Sequence, residues 1–391
     1  MEHRALEHIM DQLDIEVFSI SDIGSLETLE DIYEQRSRLN DLTGFEPQSK
    51  SRSNPVLALD NAKSVIAIAV PYRIKNYRTS GTPRGFITNM AWEFDYHDVV
   101  KEKLEQIKEA ILQAHPDAQF LSAVDTGPVN DRMTAYGAGL GWIGRNQFII
   151  DDRVGTGFYI GILITDFSIS GAKKWRTEIS SKCDSCRKCQ ASCPANALTG
   201  ERSFHGQLCV STLTQLKRDL TYSERSRIGR SLYGCDICQW ACPYNNQVSR
   251  IPEELLRKTP NVIDPFEILG LTNKTFKKNY GTMGFAWRGL RTLKRNALIV
   301  LGNGRKLEDY EKLLSQYPEV PDLLKPYAQW ALMMIDPKRA RIYFEELSNS
   351  DTFIKDEESR SALIKELHSI EVWMRYKFRN SNVFPYNTNN Q

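Results

Sequence analysis

Residues 183–197 read CDSCRKCQASCPANA, and residues 235–245 read CDICQWACPYN. The first stretch spaces four cysteines by two, two and three residues and follows the last with a proline; the second half-repeats it. All eight cysteines, Cys183, Cys186, Cys189, Cys193, Cys209, Cys235, Cys238 and Cys242, fall inside this one region of a 391-residue chain. Such segregation reads as one cysteine-dependent module joined to cysteine-free neighbours. The length leaves room for two or three domains, each with its own core. With 41% hydrophobic and 26% charged residues the composition is that of an ordinary globular protein, and a net charge of +2 points to no particular partner. The N-terminal MEHRALEHIMDQLDIEVF mixes acids and bases through an amphipathic pattern, unlike a signal peptide. No apolar run approaches the ~20 residues of a membrane span. A cytoplasmic protein without membrane attachment is expected, and in that compartment structural disulfides are disfavoured.

C-x2-C-x2-C-x3-C-P is the run by which bacterial ferredoxins hold iron–sulfur clusters. Three closely spaced thiolates on a tight loop can take three corners of one cubane. The fourth, followed by a proline that turns the chain away, points to a second cluster. The second set, Cys209, Cys235, Cys238 and Cys242-Pro243, supplies reciprocal ligands. The spacing assigns Cys183, Cys186, Cys189 and Cys242 to one 4Fe–4S cluster and Cys193, Cys209, Cys235 and Cys238 to the other. Zinc sites use paired C-x2-C knuckles, commonly with histidine, and need neither the third short-spaced cysteine nor the Cys-Pro. Clusters carry single electrons, so the module is an electron relay. The motif does not say what it feeds.

Working outward, the first 170 residues read as layered α/β. SVIAIAVPY (Ser64 to Tyr72) is a continuous apolar, β-branched run and predicts a buried strand; AQFLSAV (Ala118 to Val124) and GFYIGILITDF (Gly157 to Phe167) predict two more. Tyr96 to Leu112 places Val100, Leu104, Ile107 and Ile111 on one helical face. Residues 171–262 form the cysteine module. Residues 263–391 read as all-helical. Ala286 to Leu301 sets Leu290, Leu293, Ala297 and Leu301 on one face, and Leu323 to Ile335 and Ala362 to Trp373 are further helices, punctuated by Pro318, Pro321, Pro326 and Pro337. Short helix pairs of this kind can stack as HEAT-like repeats.

The acceptor of the electrons belongs in the N-terminal segment, whose densest feature is VDTGPVNDRMTAYGAGLGWIGRN, Val124 to Asn146. Gly137, Gly139, Gly141 and Gly144, rimmed by Trp142 and Arg145, would let the backbone approach a bulky ligand; an ordinary glycine-rich connection reads the same way. GAGLG follows a helix instead of a strand, so a dinucleotide fingerprint fails its context. Asp125 directly follows a strand, at the carboxyl end where open α/β sheets place ligands, and could donate a proton. Alternatively, Asp125 or Thr126 caps a helix begun at Pro128.

Taken together, VDTGPVNDR, GAGLGWIGRN, CxxCxxCxxxCP, CVSTLT and YGCDICQWACP resemble the epoxyqueuosine reductase (QueG) family. The resemblance extends to DYHDVV near residue 95 and to the WRG-x5-RNA stretch at Trp287 to Ala297. It implies a multidomain α+β fold: a nitroreductase-like cobalamin domain, a two-cluster ferredoxin-like module and HEAT-like helices. It implies reduction of the epoxide of epoxyqueuosine to the alkene at the wobble position of tRNA, the last step of queuosine synthesis, with base-off cobalamin and two 4Fe–4S clusters as cofactors. An external low-potential electron donor, a tRNA partner and a monomeric protein go with it. By the resemblance, Asp125 matches the proton donor, which outweighs the capping alternative. Arg52 in KSRSNP, Asp125, Ile149, Ser211 and Asp236 fall at cofactor-binding positions, and Arg132 and Lys217 fall near the tRNA. Arg145 departs from the lysine usual there, keeping the charge and altering the donor geometry. DYHDVV looks like a cobalt-ligating D-x-H-x-x-G signature, but Val100 stands at the glycine position, so His97 reads as a structural or pocket residue.

From Ile268 to Leu307 there are nine Lys or Arg and no acid. Arg288, Arg291 and Arg295 follow i, i+3, i+7 and are expected on one outward face, a polyanion footprint; a solvated basic face is the plain alternative. A general acid must be protonated at working pH, so Asp125 is expected in a desolvated site that raises its pKa. Two rival functions share parts of this pattern. One is a cobalamin-dependent reductive dehalogenase, for which the basic region has no purpose; the other is a non-catalytic electron carrier or cobalamin-handling protein.

Overall fold

The computed structural model describes residues 1–25, 27–39, 41–45, 52, 54–72, 74, 85–92, 95–200, 203–247, 261–349 and 357–378. In chain order its strands are β1 (Val17–Asp22), β2 (Ser64–Pro71), β3 (Gly85–Ile87), β4 (Phe120–Ala123), β5 (Trp142–Ile143), β6 (Ile149–Ile150), β7 (Phe158–Thr165), β8 (Leu198–Thr199), β9 (Ser203–Phe204), β10 (Ser231–Tyr233) and β11 (Val262–Ile263). The apolar run at β2 is explained by burial on both faces. Ile66, Ile68 and Val70 pack against Val100, Leu104 and Ile107 of the helix Tyr96–Ala114, and Val65, Ala67 and Ala69 pack against Ala135, Tyr136 and Leu140 on the other side. A strand with no solvated face has no polar alternation to show.

The main sheet runs β1-β2-β7-β4, and every neighbouring pair is antiparallel. The expected α/β layering is thereby corrected to α+β. A continuous apolar strand reports burial on two faces and carries no information about direction, and antiparallel partners need no helical crossover. The strand expected at Ala118 to Val124 shortens to β4, pairs only with β7 and is only partly buried, as an edge strand is.

A second sheet joins the three segments of the chain. β3 lies between β10, parallel to it, and β11, antiparallel to it. β10 comes from the cysteine-bearing segment and β11 straddles the start of the helical one. The hydrophobic cores also cross these divisions: Leu213, Leu220 and Ile228 share a core with Trp330, Leu301 and Phe344 of the C-terminal helices. The helices Leu290–Gly304, Lys325–Ile335 and Glu357–Lys377 form where the apolar periodicity places them. No described helix is long and apolar enough to cross a membrane.

One basic face is not what its periodicity suggests. Arg291 is exposed, but Arg295 is 5% exposed and donates to the backbone carbonyls of Leu213, Thr214, Leu216 and Arg218. Arg288 is half-buried; it reaches the Gln215 carbonyl and lies 4.4 Å over the Trp287 ring. Both are staples between the helical segment and the turn after the helix Val210–Gln215. The physical reason is that this turn leaves carbonyls without helical partners, and a guanidinium fork satisfies several at once. Burial lowers the Arg295 pKa to about 10, which leaves it charged at neutral pH. Arg295→Ala should therefore lower unfolding free energy by about 3 kcal/mol, because buried carbonyls lose charge-assisted bonds. Arg291→Ala should stay within about 0.5 kcal/mol of wild type. Denaturant titration of both variants checks the contrast.

Candidate active site and cluster sites

β4 ends at Ala123, and two residues later the backbone of Asp125 turns left-handed, with φ +51°. Aspartate is one of the few side-chain-bearing residues that adopt this conformation readily. The following helix starts later than expected, at Asp131, and Asn130 caps it by accepting the Met133 N–H. Neither Asp125 nor Thr126 caps a helix, so the carboxylate of Asp125 is free for other work. Arg52 donates through Nη1 to the Gly127 carbonyl at 2.6 Å and so fixes the turn that carries Asp125. Its neighbours Ser51 and Ser53 in the KSRSNP stretch lie outside the described residues.

The carboxylate accepts a hydrogen bond from Tyr96 Oη at 3.0 Å and lies 3.7 Å from His97 Nε2. The other ring nitrogen of His97 lies 2.7 Å from Asp95, the residue that caps the helix Tyr96–Ala114. His97 thus has both nitrogens facing carboxylates, which suits a protonated ring and leaves none for a metal. Asp125 beside it, and Asp95 behind it, push its pKa up against the lowering effect of burial. His97 first, and Tyr96 after it, hold the Asp125 pKa below the usual carboxylate value. The expected raised Asp125 is corrected here. Its side chain is 54% exposed, so desolvation is outweighed by the imidazolium. The raised acid is its neighbour Asp131, pushed up to about 6 by burial first and by the charge of Asp125 second. Stacked rings of His97, Tyr96, Tyr159 and Tyr72 form one wall of the recess, with centroid separations of 4.2, 4.7 and 4.7 Å.

Ile149, Phe148, Thr156 and Arg132 complete a cavity of about 80 Å³ that contains Asp125, Asp131 and Tyr96. Ile149 belongs to the two-strand hairpin β5–β6, and alternation along β6 sends its neighbour Ile150 the other way. Ile150 packs with Trp142 and Cys242 and lines a second cavity with Cys183, Cys186, Cys189 and Cys242. One strand therefore separates the acid-bearing recess from a nest of four thiols. Of the four glycines, Gly141 and Gly144 serve this hairpin, whereas Gly137 and Gly139 lie against Trp175 and Ser19. A Cβ at Gly141, where φ is +69°, would stand 2.4 Å from the Ile150 carbonyl, and one at Gly144 2.6 Å from Asn146 Oδ1. The expected approach to a bulky ligand is corrected to an approach of protein to protein.

The remaining cysteines gather separately. Cys193, Cys209 and Cys235 pack around Ala195, Ala197 and Val210, and burial, reinforced by Cys235 and Cys209 beside it, raises the Cys238 thiol well above its ordinary pKa. Cys183, Cys186, Cys189 and Cys242 thus line one cavity, while Cys193, Cys209 and Cys235 share a packed cluster with Cys238 nearby; backbone donors reach both sets, Arg145 N–H to Cys183 Sγ and Ala197 N–H to Cys193 Sγ, both at 3.4 Å. All eight thiols are free of disulfides. Such donor sets fit soft-metal clusters, whose binding must displace the thiol protons.

Asp125, Ile149 and Arg132 come together in one recess, with Arg52 behind the Asp125 turn. Asp236 does not join them. It is wholly buried, and its carboxylate accepts from Thr88 Oγ1, the Asn89 backbone and side chain, and Gln239. Its side chain is a clamp between the cysteine segment and β3, with no edge left for a ligand. Ser211 sits in the first turn after Cys209, where its carbonyl accepts from Thr214 and Gln215. Lys217 and Arg132 are exposed. Sequence reasoning passed over Tyr96, Asp131 and Trp287. Tyr96 and Asp131 stood inside quoted motifs, but only the fold brings them to Asp125. Trp287 is 61% exposed, and its indole N–H donates to Tyr233 Oη at 2.7 Å.

Residues 52–126 match the family model described as epoxyqueuosine reductase QueG, DUF1730, and residues 182–245 match the 4Fe-4S double cluster binding domain. The epoxyqueuosine reductase of Bacillus anthracis is 35% identical over 306 residues, covering 76% of this chain and 80% of that protein. The chain belongs to the epoxyqueuosine reductase family. The enzyme of Bacillus subtilis is 32% identical over 358 residues, covering 89% of this chain and 90% of that one. Epoxyqueuosine reductase from Streptococcus thermophilus superposes with a TM-score of 0.79 at 29% identity, over 96% of this chain and 98% of that one. A crystal structure of epoxyqueuosine reductase with a tRNA-Tyr epoxyqueuosine-modified tRNA stem loop superposes at 0.82, again at 29% identity, over 94% of this chain and 99% of that one. The multidomain α+β fold and the double-cluster domain are thus those of this family.

Anaerobically reconstituted protein should bind about eight irons per chain, as two cubanes demand. Cys193→Ser should damage one cluster and spare the other, which iron analysis and EPR of the reduced protein will read. Loss of the signal that Cys186→Ser also abolishes would reassign the ligands.

Proposed function

We propose that this chain reduces epoxyqueuosine in tRNA to queuosine, an iron–sulfur oxidoreductase reaction consuming two electrons and two protons and releasing water. The observation that carries the reading is one recess holding two titratable proton centres, the Asp125–His97 pair and Asp131, a single strand away from a four-thiol nest. Membership of the family supplies the substrate class. The protein works in the cytoplasm as a monomer, fed by an external low-potential one-electron donor. We read residues 1–170 as a nitroreductase-like catalytic domain, 171–262 as a ferredoxin-like module and 263–391 as HEAT-like helices.

Cobalamin, bound base-off, would supply a strongly reducing centre for opening the epoxide. Tyr72, Tyr159, Phe158 and Ile149 line the recess and would give an apolar floor to the edge of such a macrocycle. The buried Arg52 Nε, without a partner among the described residues, fits an amide side arm. His97, engaged by Asp95 and Asp125, would serve as a proton carrier. Within this frame Asp125 passes a proton to the departing epoxide oxygen. Because its own pKa is depressed, that proton comes from the His97 imidazolium, and Tyr96 Oη holds the carboxylate in place. Asp131 carries the second proton.

The tRNA surface combines exposed Lys217, Arg291, Lys274, Lys277 and Lys278 with Trp287, whose fixed and exposed ring suits an unstacked base. Arg288 and Arg295 contribute indirectly, by anchoring the turn that presents Lys217.

Asp125→Asn should keep fold and clusters and lose roughly 10²–10⁴-fold in turnover. Since the His97 pKa is raised by Asp125 and Asp95, its proton is held below that raised value and lost as pH rises through it. Single-turnover rates should fall in two steps, first as Asp131 loses its proton near pH 6 and again above the raised His97 value, and His97→Gln should abolish or displace only the second step. For binding, Lys217→Ala and Arg291→Ala should each flatten the log–log salt dependence of tRNA affinity by about one unit. Trp287→Ala should weaken affinity with the salt slope unchanged, because stacking releases no counterions. Affinity measured across a salt series separates the two kinds of contact.

A further inference from the structure

Asn146 is 5% exposed and stands in the loop between β5 and β6. Its Oδ1 accepts the Phe148 N–H at 3.3 Å. That bond fixes which end of the amide is oxygen, since a backbone N–H must meet an acceptor. The opposite end, Nδ2, is buried and has no hydrogen-bond partner among the described residues. Asn146 also lines the cavity shared by Cys183, Cys186, Cys189 and Cys242. Two cations of the cavity's lining are engaged with protein oxygens: Lys182 Nζ binds Asp152 at 2.5 Å, and Arg145 Nη2 binds the Asp184 carbonyl at 2.8 Å. A buried donor left unmatched by protein calls for an acceptor within the cavity. The acceptor that four free thiols and a double-cluster domain would put there is sulfur.

We propose that the Asn146 side-chain amide donates an N–H···S hydrogen bond to the iron–sulfur cluster held by Cys183, Cys186, Cys189 and Cys242, and so raises that cluster's reduction potential. The proposal rests on the assignment of those four thiols to one cluster. The redox step is the uptake of one electron with no proton. The added charge spreads over the sulfurs, so a donor stabilises the reduced form more than the oxidised one. Asn146 is a positioning and tuning residue of the relay: it touches the carrier and leaves the substrate alone. With the recess of Asp125 one strand away, this potential governs how readily an electron crosses the β5–β6 hairpin.

The test is an EPR-monitored redox titration of the reconstituted holoenzyme. Cys186→Ser and Cys193→Ser identify which signal belongs to which cluster, so a wrong ligand assignment is seen separately from a wrong role for Asn146. Asn146→Asp keeps the acceptor for Phe148 and removes the donor; Asn146→Ala removes the donor without adding charge. Both variants should shift the potential of the Cys183 cluster to more negative values and leave the other cluster unchanged. A shift in the Asp variant alone is a charge effect and overturns the proposal, as does no shift in either. If a variant fails to assemble the cluster, wild-type holoenzyme labelled with [15Nδ2]asparagine decides. Pulsed EPR of the reduced Cys183 cluster should show a side-chain 15N coupling, and its absence overturns the hydrogen bond.

Discussion

The buried carboxylate of Asp236 is the contact on which the working geometry depends. It lies between Cys235 and Cys238, yet its hydrogen bonds run to Thr88 and Asn89, just beyond β3. A fully buried carboxylate is tolerable only when its lone pairs are filled, so the partners cannot drift without leaving an uncompensated charge. The distance between the thiols and the N-terminal sheet is therefore set by a stiff electrostatic clamp. Thr156, Gln239 and Asn245 extend the seam: Thr156 donates from its backbone to Asn245 Oδ1 at 2.7 Å and from its hydroxyl to Gln239 at 2.9 Å. Electron transfer falls off steeply with distance, and a seam built from short polar contacts keeps that distance constant.

The parts of this architecture that sequence displayed are those fixed by local rules. Ligand spacing announced the clusters because four thiols on a short loop have few other uses. Helix periodicity announced Tyr96–Ala114, whose Val100, Leu104, Ile107 and Ile111 are all buried. Strand direction was hidden, because β2 and β7 are apolar on both faces and give the same pattern whether parallel or antiparallel. The fate of Arg295 was hidden for a related reason. Its spacing with Arg288 and Arg291 describes one side of a helix, but whether that side meets solvent depends on the turn at Leu216, which comes from nearly eighty residues earlier in the chain. The charge state of Asp125 was hidden most deeply. Its motif marks it as chemical, while its pKa is set by Tyr96 and His97, brought to it by a different element.

The inversion of the two aspartates changes how the recess stores protons. A lone desolvated acid would hold its proton and donate it once. Here the Asp125 pKa is lowered and its side chain half-exposed, the His97 pKa beside it is raised, and Asp131 is pushed up to about 6. An exposed carboxylate can meet a bulky substrate that arrives from solvent, as a base in an anticodon must. The raised imidazole behind it holds a proton to higher pH than an isolated aspartate does. The left-handed backbone of Asp125 belongs to the same design, since it turns the side chain out of the strand and toward the pair.

Electron supply imposes a matching requirement. Each cubane passes one electron at a time, whereas removal of an epoxide oxygen consumes two. A double-cluster module can hold both before substrate arrives, so the reaction need not wait for a second encounter with the donor once the epoxide has begun to open. That advantage exists only if the charge stays on the module until the substrate is seated, which makes the relative potentials of the two thiol nests as important as their ligands. The nest beside Ile150 is also lined by Lys188 and the buried amide of Asn146, and a positive charge or a donor facing the sulfurs would favour the reduced state. The hairpin β5–β6 thus faces both on adjacent residues: Ile149 lines the recess of Asp125 and Asp131, and Ile150 lines the nest of four thiols, so one strand fixes the separation between proton chemistry and electron chemistry.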